Sequence, residues 1–530
     1  MTPKKQTFLH GTMLLALSTA IVKVIGAFYS IPLKQIIGDQ SFSYYSTAYE
    51  IYTLLLMIST AGLPVAMSRM VSQASSLGHY RQVRRIYTVC RSIFLALGIA
   101  GTFLMTVFCR QLAIFQEQPD AWAAIGTLGP CCLFICLMST YRGFFQGQSN
   151  MKPTSVSQVL EAVVKLIVGL GAAILLVHFT DESAYPAAGA IFGVTLSCVI
   201  SSVYLKLCFR KAYKDIPQTH EPVSSGKDIA KGLLAIAIPI TIGSAGLQLL
   251  TVLETRIYMG QLLETMTQTQ ADVQKGIYNF TQKIFNMPCA FITPIAISVL
   301  PAITAQLTAG EHTQAKATEE SAARVTGLIS APCAIGLFVL AEPITALLGG
   351  YTGEKLTLAS QLMAILGLCV LFNSVVLFTN AVMQAHGHVN LPVINMFIGG
   401  ILKLFIVFML TGNPHIGILG TPMGSLLCYL VITVLNLFSI GRVFPQPPAI
   451  VRNLLRALLA AVFMGAAAYG SWQGLLYLSG GNLSRVIACG IPIAVAIPVY
   501  VIAAVKLRAI TREDCLLLPK GEKIANLLHL

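Results

Sequence analysis

Several basic side chains of this 530-residue sequence lie where they could bind an anion away from bulk water. Lys23, Lys165 and Lys403 fall near the middle of three long apolar segments. Lys283 falls inside a fourth. A charged side chain at the centre of a bilayer costs about 2.5–3.5 kcal/mol on insertion scales, so we expect these lysines to face the protein interior or a water-filled cavity. Ammonium groups placed there make short, charge-assisted hydrogen bonds to phosphate oxygens.

One arginine and three acids accompany these lysines. Arg256 and Glu254 fall toward the outer end of one predicted helix, and Glu50 falls toward the outer end of another. Glu161 precedes Lys165 by one helical turn. That spacing leaves open that the two side chains neutralise each other. Arg256 and Glu50 have the alternative of extending to the membrane interface.

The five bases of this set outnumber its three acids, so the sequence predicts a cavity with surplus positive charge. Such a cavity attracts anions and repels cations, and pyrophosphate is a good chemical match. Structural alternatives stay open, since Lys403 could pack between helices with its ammonium on backbone carbonyls. The predicted substrate-binding residues are Lys23, Lys283, Arg256, Lys165, Lys403, Glu50 and Glu254.

The sequence lacks the motifs of an ATP-driven motor and of a metal-dependent enzyme. Gly226-Lys227 is followed by Asp228, not by the Ser or Thr of a phosphate-binding loop. Neither an Asp-x-Asp pair nor an H-E-x-x-H motif occurs, and the thirteen cysteines contain no C-x-x-C pair. We therefore predict no enzyme activity, no metal site and no cofactor.

The composition indicates which elements must position these residues. Apolar residues make up 55% of the chain and charged residues 11%, against about 25% charged in a soluble protein. A surface so poor in charge requires lipid around it, and about 20 apolar residues form a helix long enough to cross the bilayer. We predict an all-α, polytopic membrane protein of about fourteen transmembrane helices, near 11–33, 44–71, 88–109, 121–145, 154–178, 186–208, 232–260, 275–303, 322–346, 358–383, 391–411, 416–440, 453–476 and 484–505.

The formal net charge of +14 is a topology signal and does not indicate nucleic-acid binding. With the N-terminus inside, most lysines and arginines fall in inner segments, and the outer loops hold only Lys34, Arg110 and Lys355. The positive-inside rule then places both termini in the cytoplasm. The first segment is similar to a signal peptide, but Lys23 interrupts it, so we expect an uncleaved helix.

An internal repeat predicts how the helices are grouped. Leu63-Pro64, at the predicted end of helix two, matches Leu300-Pro301, at the predicted end of helix eight, with an offset of 237 positions. The stretch 146–165 matches 384–403 with an offset of 238. Both correspond to a shift of six helices, which gives parallel repeats around a central cavity. The predicted divisions are an N-terminal lobe (1–210), a cytoplasmic linker (211–231), a C-terminal lobe (232–440) and two extra helices with a cytoplasmic tail (441–530).

These features together resemble a known family over about residues 8–505. The resemblance is carried by Val22-Lys23-Val24-Ile25-Gly26, Leu63-Pro64, Glu254-Thr255, Lys283 five residues before Pro288, and Leu300-Pro301. On these motifs the chain is similar to the polysaccharide-transporter and lipid II flippase branch of the multidrug/oligosaccharidyl-lipid/polysaccharide exporter superfamily, and in particular to its stage V sporulation protein B-like group.

The resemblance implies a flippase of the bacterial plasma membrane that moves a polyprenyl-pyrophosphate-linked saccharide, such as a lipid II-like peptidoglycan precursor, by alternating access. It implies that Lys23 and Lys283 match two of three cationic cavity positions and that Glu254-Thr255 matches an acid–threonine pair. The third cationic position departs from the family pattern, because the second helix reads 54-LLLM-57 there. By the same resemblance, the last two helices form a groove for the polyprenyl tail, and cell-wall synthesis proteins are candidate partners.

Three other functions stay open at this point. A cation-coupled multidrug exporter of the same superfamily predicts a cavity dominated by acids, for which Glu50 and Glu254 are the candidates. A membrane glycosyltransferase or polymerase would need an acidic catalytic constellation and a sizeable extramembrane loop. A non-transporting assembly scaffold is the third.

Overall fold

The chain is helical throughout the part that the computed structural model describes, which is residues 8–60, 62–214, 216–217, 221–479 and 484–510. No β-strand occurs in these ranges. In chain order the helices are α1 (Phe8–Thr60), α2 (Leu63–Ser76), α3 (Tyr80–Val107), α4 (Cys109–Phe115), α5 (Trp122–Gly147), α6 (Lys152–Phe179), α7 (Ala184–Lys214), α8 (Gly226–Leu263), α9 (Gln268–Thr308), α10 (His312–Val339), α11 (Ala341–Gly349), α12 (Gly353–Ala385), α13 (Asn390–Thr411), α14 (Gly420–Val443), α15 (Ile450–Ser479) and α16 (Arg485–Lys506).

Within the described residues, twelve helical stretches are long and apolar enough to cross a bilayer. A helix suits lipid because it satisfies its backbone hydrogen bonds internally. The all-α, polytopic prediction is confirmed, whereas the count of fourteen is not. Two predicted spans, 11–33 and 44–71, fall on α1 and α2, where Phe28–Ser76 counts as one stretch, and predicted span 275–303 falls on α9, which is not among the twelve.

Helix α1 includes residues 34–43, which were predicted to connect the first and second membrane spans. The helix is interrupted at one residue, Gly38, whose backbone angles are φ 75° and ψ 175°. This region of backbone space is essentially restricted to glycine. Lys34 Nζ and Asp39 Oδ1 form an ion pair of 3.2 Å across the interruption. A single residue therefore replaces the predicted loop.

The two proline motifs lie differently from the prediction. Leu63-Pro64 was predicted to close a helix, but it opens α2, with the proline in the first turn. Proline is well suited to that position because the first backbone N–H groups of a helix have no intrahelical partner. Leu300-Pro301 lies inside α9, before its end at Thr308.

By their internal contacts, the residues form two compact units, Met1–Asn279 and Phe280–Leu530. In the first unit, α5 packs against α3 and α7, α6 packs against α7 and α1, and α8 packs against α1 and α2. The first residues of α9 belong to this unit as well. These two units are defined by contacts and do not test the lobes inferred from the internal repeat. The lobes stay a prediction.

In the second unit, α10 lies between α12 and α15 and packs against both. Helices α13 and α14 pair with each other, and α15 pairs with α16. The interface of α10 and α15 includes Ala331, Ala457 and Ala461, whose small side chains let the helices approach closely. Tyr500 of α16 donates a hydrogen bond of 2.9 Å to the carbonyl of Leu328. The two helices predicted after residue 441 are therefore α15 and α16.

Candidate functional site

The predicted site residues are distributed over both units. Glu50, Lys165, Glu254 and Arg256 lie in the first unit. Lys283 and Lys403 lie in the second, and both side chains are half-buried. The side chain of Lys23, on α1, lies outside the described residues.

A cavity of about 270 Å³ lies within the first unit, between α1, α5 and α6. Its wall combines charged, tyrosine and small apolar side chains. The lining residues are Val22, Ile25, Gly26, Tyr29, Tyr49, Arg142, Gln158, Glu161, Ala162 and Lys165. Of the predicted site residues with described side chains, Lys165 is the one in this wall.

Two tyrosine rings hold the ammonium group of Lys165. Its Nζ donates a hydrogen bond of 3.2 Å to the hydroxyl of Tyr49. The same atom lies 4.7 Å from the ring centroid of Tyr49 and 5.0 Å from that of Tyr29, which is the range of a cation–π interaction. An ammonium carries three donors, and within the described part of the chain one of them is used. Lys165 can therefore donate to a guest in the cavity.

Glu161 is paired with Arg142 of α5, and not with Lys165. Its carboxylate lies 3.1 Å from the guanidinium of Arg142, which also donates from Nε to the hydroxyl of Ser157. The i,i+4 neutralisation left open by the sequence is thus not the arrangement observed. Among the described residues, two cations and one carboxylate line the cavity, so their net formal charge is positive.

Arg142 was not predicted as a site residue. The signal was present, since an arginine falls inside the predicted span 121–145. Its position close to the inner end of that span is also typical of an ordinary flanking charge. Its partner Glu161 lies on the next helix, which a single-helix pattern does not reveal.

A second polar cluster in the first unit surrounds Lys275 of α9, whose side chain is fully buried. Its Nζ donates to the hydroxyl of Thr47 at 2.6 Å and to the amide oxygen of Gln118 at 2.9 Å. The carboxylate of Glu50 lies 3.8 Å away and accepts a 2.8 Å hydrogen bond from Thr255. Glu50 is therefore held from two sides.

Asp272, one turn before Lys275, is held by neutral donors. It accepts hydrogen bonds from the Tyr44 hydroxyl at 2.9 Å, from Gln118 Nε2 at 2.6 Å and from Gln268 Nε2 at 3.1 Å. We call the residues Tyr44, Thr47, Glu50, Gln118, Asp272 and Lys275 the Lys275 cluster.

Close backbone packing fixes this cluster beside the interruption of α1. A Cβ placed on Gly276 would lie 1.9 Å from the carbonyl oxygen of Asp39. Only glycine fits there without displacement. Sequence reasoning missed Lys275 because the predicted span began at 275, whereas α9 begins at Gln268 and places the lysine two turns inside.

Arg256 belongs neither to the cavity around Lys165 nor to the Lys275 cluster. Its guanidinium pairs with Glu117 at 3.1 Å and donates to the carbonyl of Phe115. The side chain is 42% exposed, which agrees with the alternative in which Arg256 extends outward. Its neighbour Glu254 is buried.

Two sequence profiles and two bacterial proteins match this chain. The sequence profile described as "Polysaccharide biosynthesis protein" matches residues 8–306, and the MatE profile matches residues 272–409. Stage V sporulation protein B of Bacillus subtilis (strain 168) is 25% identical over 523 residues, covering 97% of this chain and 98% of its own. Lipid II flippase MurJ of the same strain is 23% identical over 522 residues, covering 94% and 95%.

Solved structures share the fold. An inward closed conformation of lipid II flippase MurJ aligns with a TM-score of 0.69 at 14% identity, over 94% of this chain and 99% of the other. An inward-facing multidrug resistance MATE family transporter of the MOP superfamily aligns with a TM-score of 0.63 at 15% identity, over 80% and 98%. At sequence identities this low, the structural similarity shows the fold alone.

Proposed function

This chain belongs to the polysaccharide biosynthesis protein family, in the MOP exporter superfamily, and on that premise we propose that it moves a polyprenyl-pyrophosphate-linked saccharide across the membrane. The proposed cargo is a lipid II-like peptidoglycan precursor or another cell-envelope saccharide unit. The proposed site of action is the bacterial plasma membrane, with both termini in the cytoplasm. The proposed mechanism is alternating access between repeated helical lobes.

The observation that carries this proposal is the cationic, tyrosine-walled cavity around Lys165. Lys165 and Arg142 are partly buried, and where water is partly excluded an ammonium and a guanidinium attract the charge of a pyrophosphate more strongly than they would in solution. Lys165 has donors to spare, and Arg142 is held in place by Glu161. Tyr29 and Tyr49 present amphipathic rings that suit the mixed polar and apolar faces of a saccharide.

The other predicted residues extend this proposal. Lys23, Lys283 and Lys403 would add positive charge along the path of the pyrophosphate. Arg256, paired with Glu117, would act at the rim, where an incoming anion is attracted but not enclosed.

The decisive assay is movement of a labelled polyprenyl-pyrophosphate saccharide in proteoliposomes that contain the purified full chain. Lipid that reaches the outer leaflet is measured with a membrane-impermeant enzyme. We expect Lys165→Ala to lower apparent affinity about 10- to 100-fold, because one charged hydrogen bond contributes about 1.5–3 kcal/mol. Lys165→Arg should retain most of the activity. Lys227→Ala, at an exposed position, is the matched control.

Two outcomes would contradict the proposal. One is a wild-type protein that leaves the labelled lipid on its original leaflet under every gradient imposed. The other is a Lys165→Ala protein as active as the Lys227→Ala control.

A cation-coupled multidrug exporter is the second candidate function. The match of the MatE profile to residues 272–409 favours it, as do the buried or half-buried acids Glu254 and Glu50. The same proteoliposomes distinguish the two: a cationic dye should move only under a sodium or proton gradient, and Glu50→Gln should abolish that movement.

A further inference from the structure

We propose that Lys275 is a built-in counter-cation, whose ammonium occupies the place beside Glu50 that a free monovalent cation would otherwise take. The inference concerns cation binding and stability, and it does not depend on which molecule the chain carries.

The shell around Lys275 Nζ consists of oxygen atoms and one aromatic face. The oxygens are a hydroxyl of Thr47 at 2.6 Å, an amide oxygen of Gln118 at 2.9 Å and a carboxylate oxygen of Glu50 at 3.8 Å. The ring centroid of Tyr258 lies 5.9 Å away. Hydroxyl, amide and carboxylate oxygens are also the ligands that bind hard metal cations in proteins. The ammonium thus sits in a shell suited to a small cation, while its alkyl chain attaches it to α9.

Charge balance explains why a cation belongs there. The Asp272 carboxylate accepts hydrogen bonds from neutral donors on Tyr44, Gln118 and Gln268, and it also interacts electrostatically with Lys275. Glu50 receives one neutral hydrogen bond, from Thr255, and its side chain is 17% exposed. Removing one member of a buried ion pair is strongly destabilising because the other charge is left uncompensated. Lys275 therefore supplies the positive charge that Glu50 requires.

A carboxylate that already has a covalently attached cation does not need to take sodium or a proton from solution in each cycle. Glu50 then lacks the role that a cation-coupled exporter would assign to it.

Chemical rescue tests the inference on the purified full chain in detergent. Lys275→Ala removes the ammonium and leaves room for a small cation. We expect its melting temperature to fall, and ammonium or methylammonium chloride at tens to hundreds of millimolar to restore at least half of the loss, since a ligand that binds only the folded state stabilises it. N-methylglucamine chloride at equal concentration should restore nothing, and wild-type protein should respond to none of the three salts.

A volume-matched variant separates charge from packing. Lys275→Met fills the space without charge, so ammonium should not rescue it. Combining it with Glu50→Gln removes the need for a cation, and the double variant should melt higher than Lys275→Met alone. The inference is overturned if ammonium and methylammonium fail to restore Lys275→Ala, if N-methylglucamine restores it equally, or if the double variant melts no higher than Lys275→Met.

The test remains decisive if Lys275→Ala does not fold. Glu50→Gln alone leaves the buried ammonium without its carboxylate, so the double variant should also melt higher than Glu50→Gln. A double variant less stable than Glu50→Gln would mean that Lys275 stabilises the fold independently of Glu50, and the inference would fail.

Discussion

Lys165 and Lys275 are both ammonium groups inside the first unit, but their surroundings suit them to different tasks. Lys165 borders a cavity and uses one hydrogen bond within the described residues. Lys275 is fully enclosed, with two hydrogen bonds and an ion pair. An ammonium with donors to spare can receive a guest, whereas a saturated one balances a fixed charge.

The pairing of Arg142 with Glu161 leads to a testable prediction. Glu161→Gln should destabilise the protein by about 1 kcal/mol, because both side chains are partly exposed and such pairs are weak. It should also tighten binding of anions in the cavity, since one negative charge is removed. Thermal unfolding and titration with inorganic pyrophosphate measure the two effects. Ser157→Ala, which removes the other partner of Arg142, is the control and should leave the charge of the cavity unchanged. Weaker anion binding in Glu161→Gln would contradict the prediction.

The sequence predicted part of this site for a clear reason. A lysine in the middle of an apolar segment has a high cost in lipid, so Lys165 is recognisable without knowledge of its partners. The partners themselves come from distant positions: Tyr49 for Lys165, and Thr47 and Gln118 for Lys275. A hydropathy pattern does not indicate which neutral threonine, glutamine and tyrosine side chains lie near a given lysine. Only the fold shows which of them meet.

The first turns of α9 are packed against the interruption of α1. The interruption lies at Gly38, and the contact lies between Gly276 and the Asp39 backbone. Lys275 directly precedes Gly276 in the chain. The position of the Lys275 cluster is therefore set by backbone contact as well as by hydrogen bonds.

Gly276→Ala tests that contact. The added Cβ would meet the Asp39 carbonyl oxygen at 1.9 Å, so a helix must move, and we expect a loss of about 2 kcal/mol or more. Gly260→Ala in α8 is a matched control, because apart from the adjoining backbone of α8 no atom of the described residues lies within 4 Å of its added Cβ. The control should be neutral or slightly stabilising, since alanine favours helix over glycine. Equal melting temperatures of the two variants would refute the expected clash.

The apolar segments could be read from the sequence because lipid imposes a length and a composition on every crossing helix. Helices such as α6, α13 and α16 follow their predicted spans closely. The interruption at Gly38 and the opening of α2 at Leu63-Pro64 could not be read in this way. Both depend on backbone geometry at one or two residues, and an averaged apolar pattern is insensitive to them.

The distribution of lysine and arginine along the chain predicts which side of the membrane each connection faces. The predicted even number of crossings would put both termini on the same side, and the lysine and arginine bias predicts that this side is the cytoplasm. Green fluorescent protein fused after Leu530 should fluoresce, and alkaline phosphatase fused there should be inactive. Alkaline phosphatase fused after Asp181, between α6 and α7, should be active. The opposite activities in these fusions would show that the predicted topology is inverted.

The complete enclosure of Lys275 has a consequence for regulation in the cell. Enzymes that acetylate or methylate lysine must reach the amine, and this amine is inside a folded core with no exposed surface. The amine is thus closed to covalent modification once the chain folds. Exposed lysines such as Lys227 remain open to covalent modification, so a cell could tune the periphery of this protein while its interior pair stays constant.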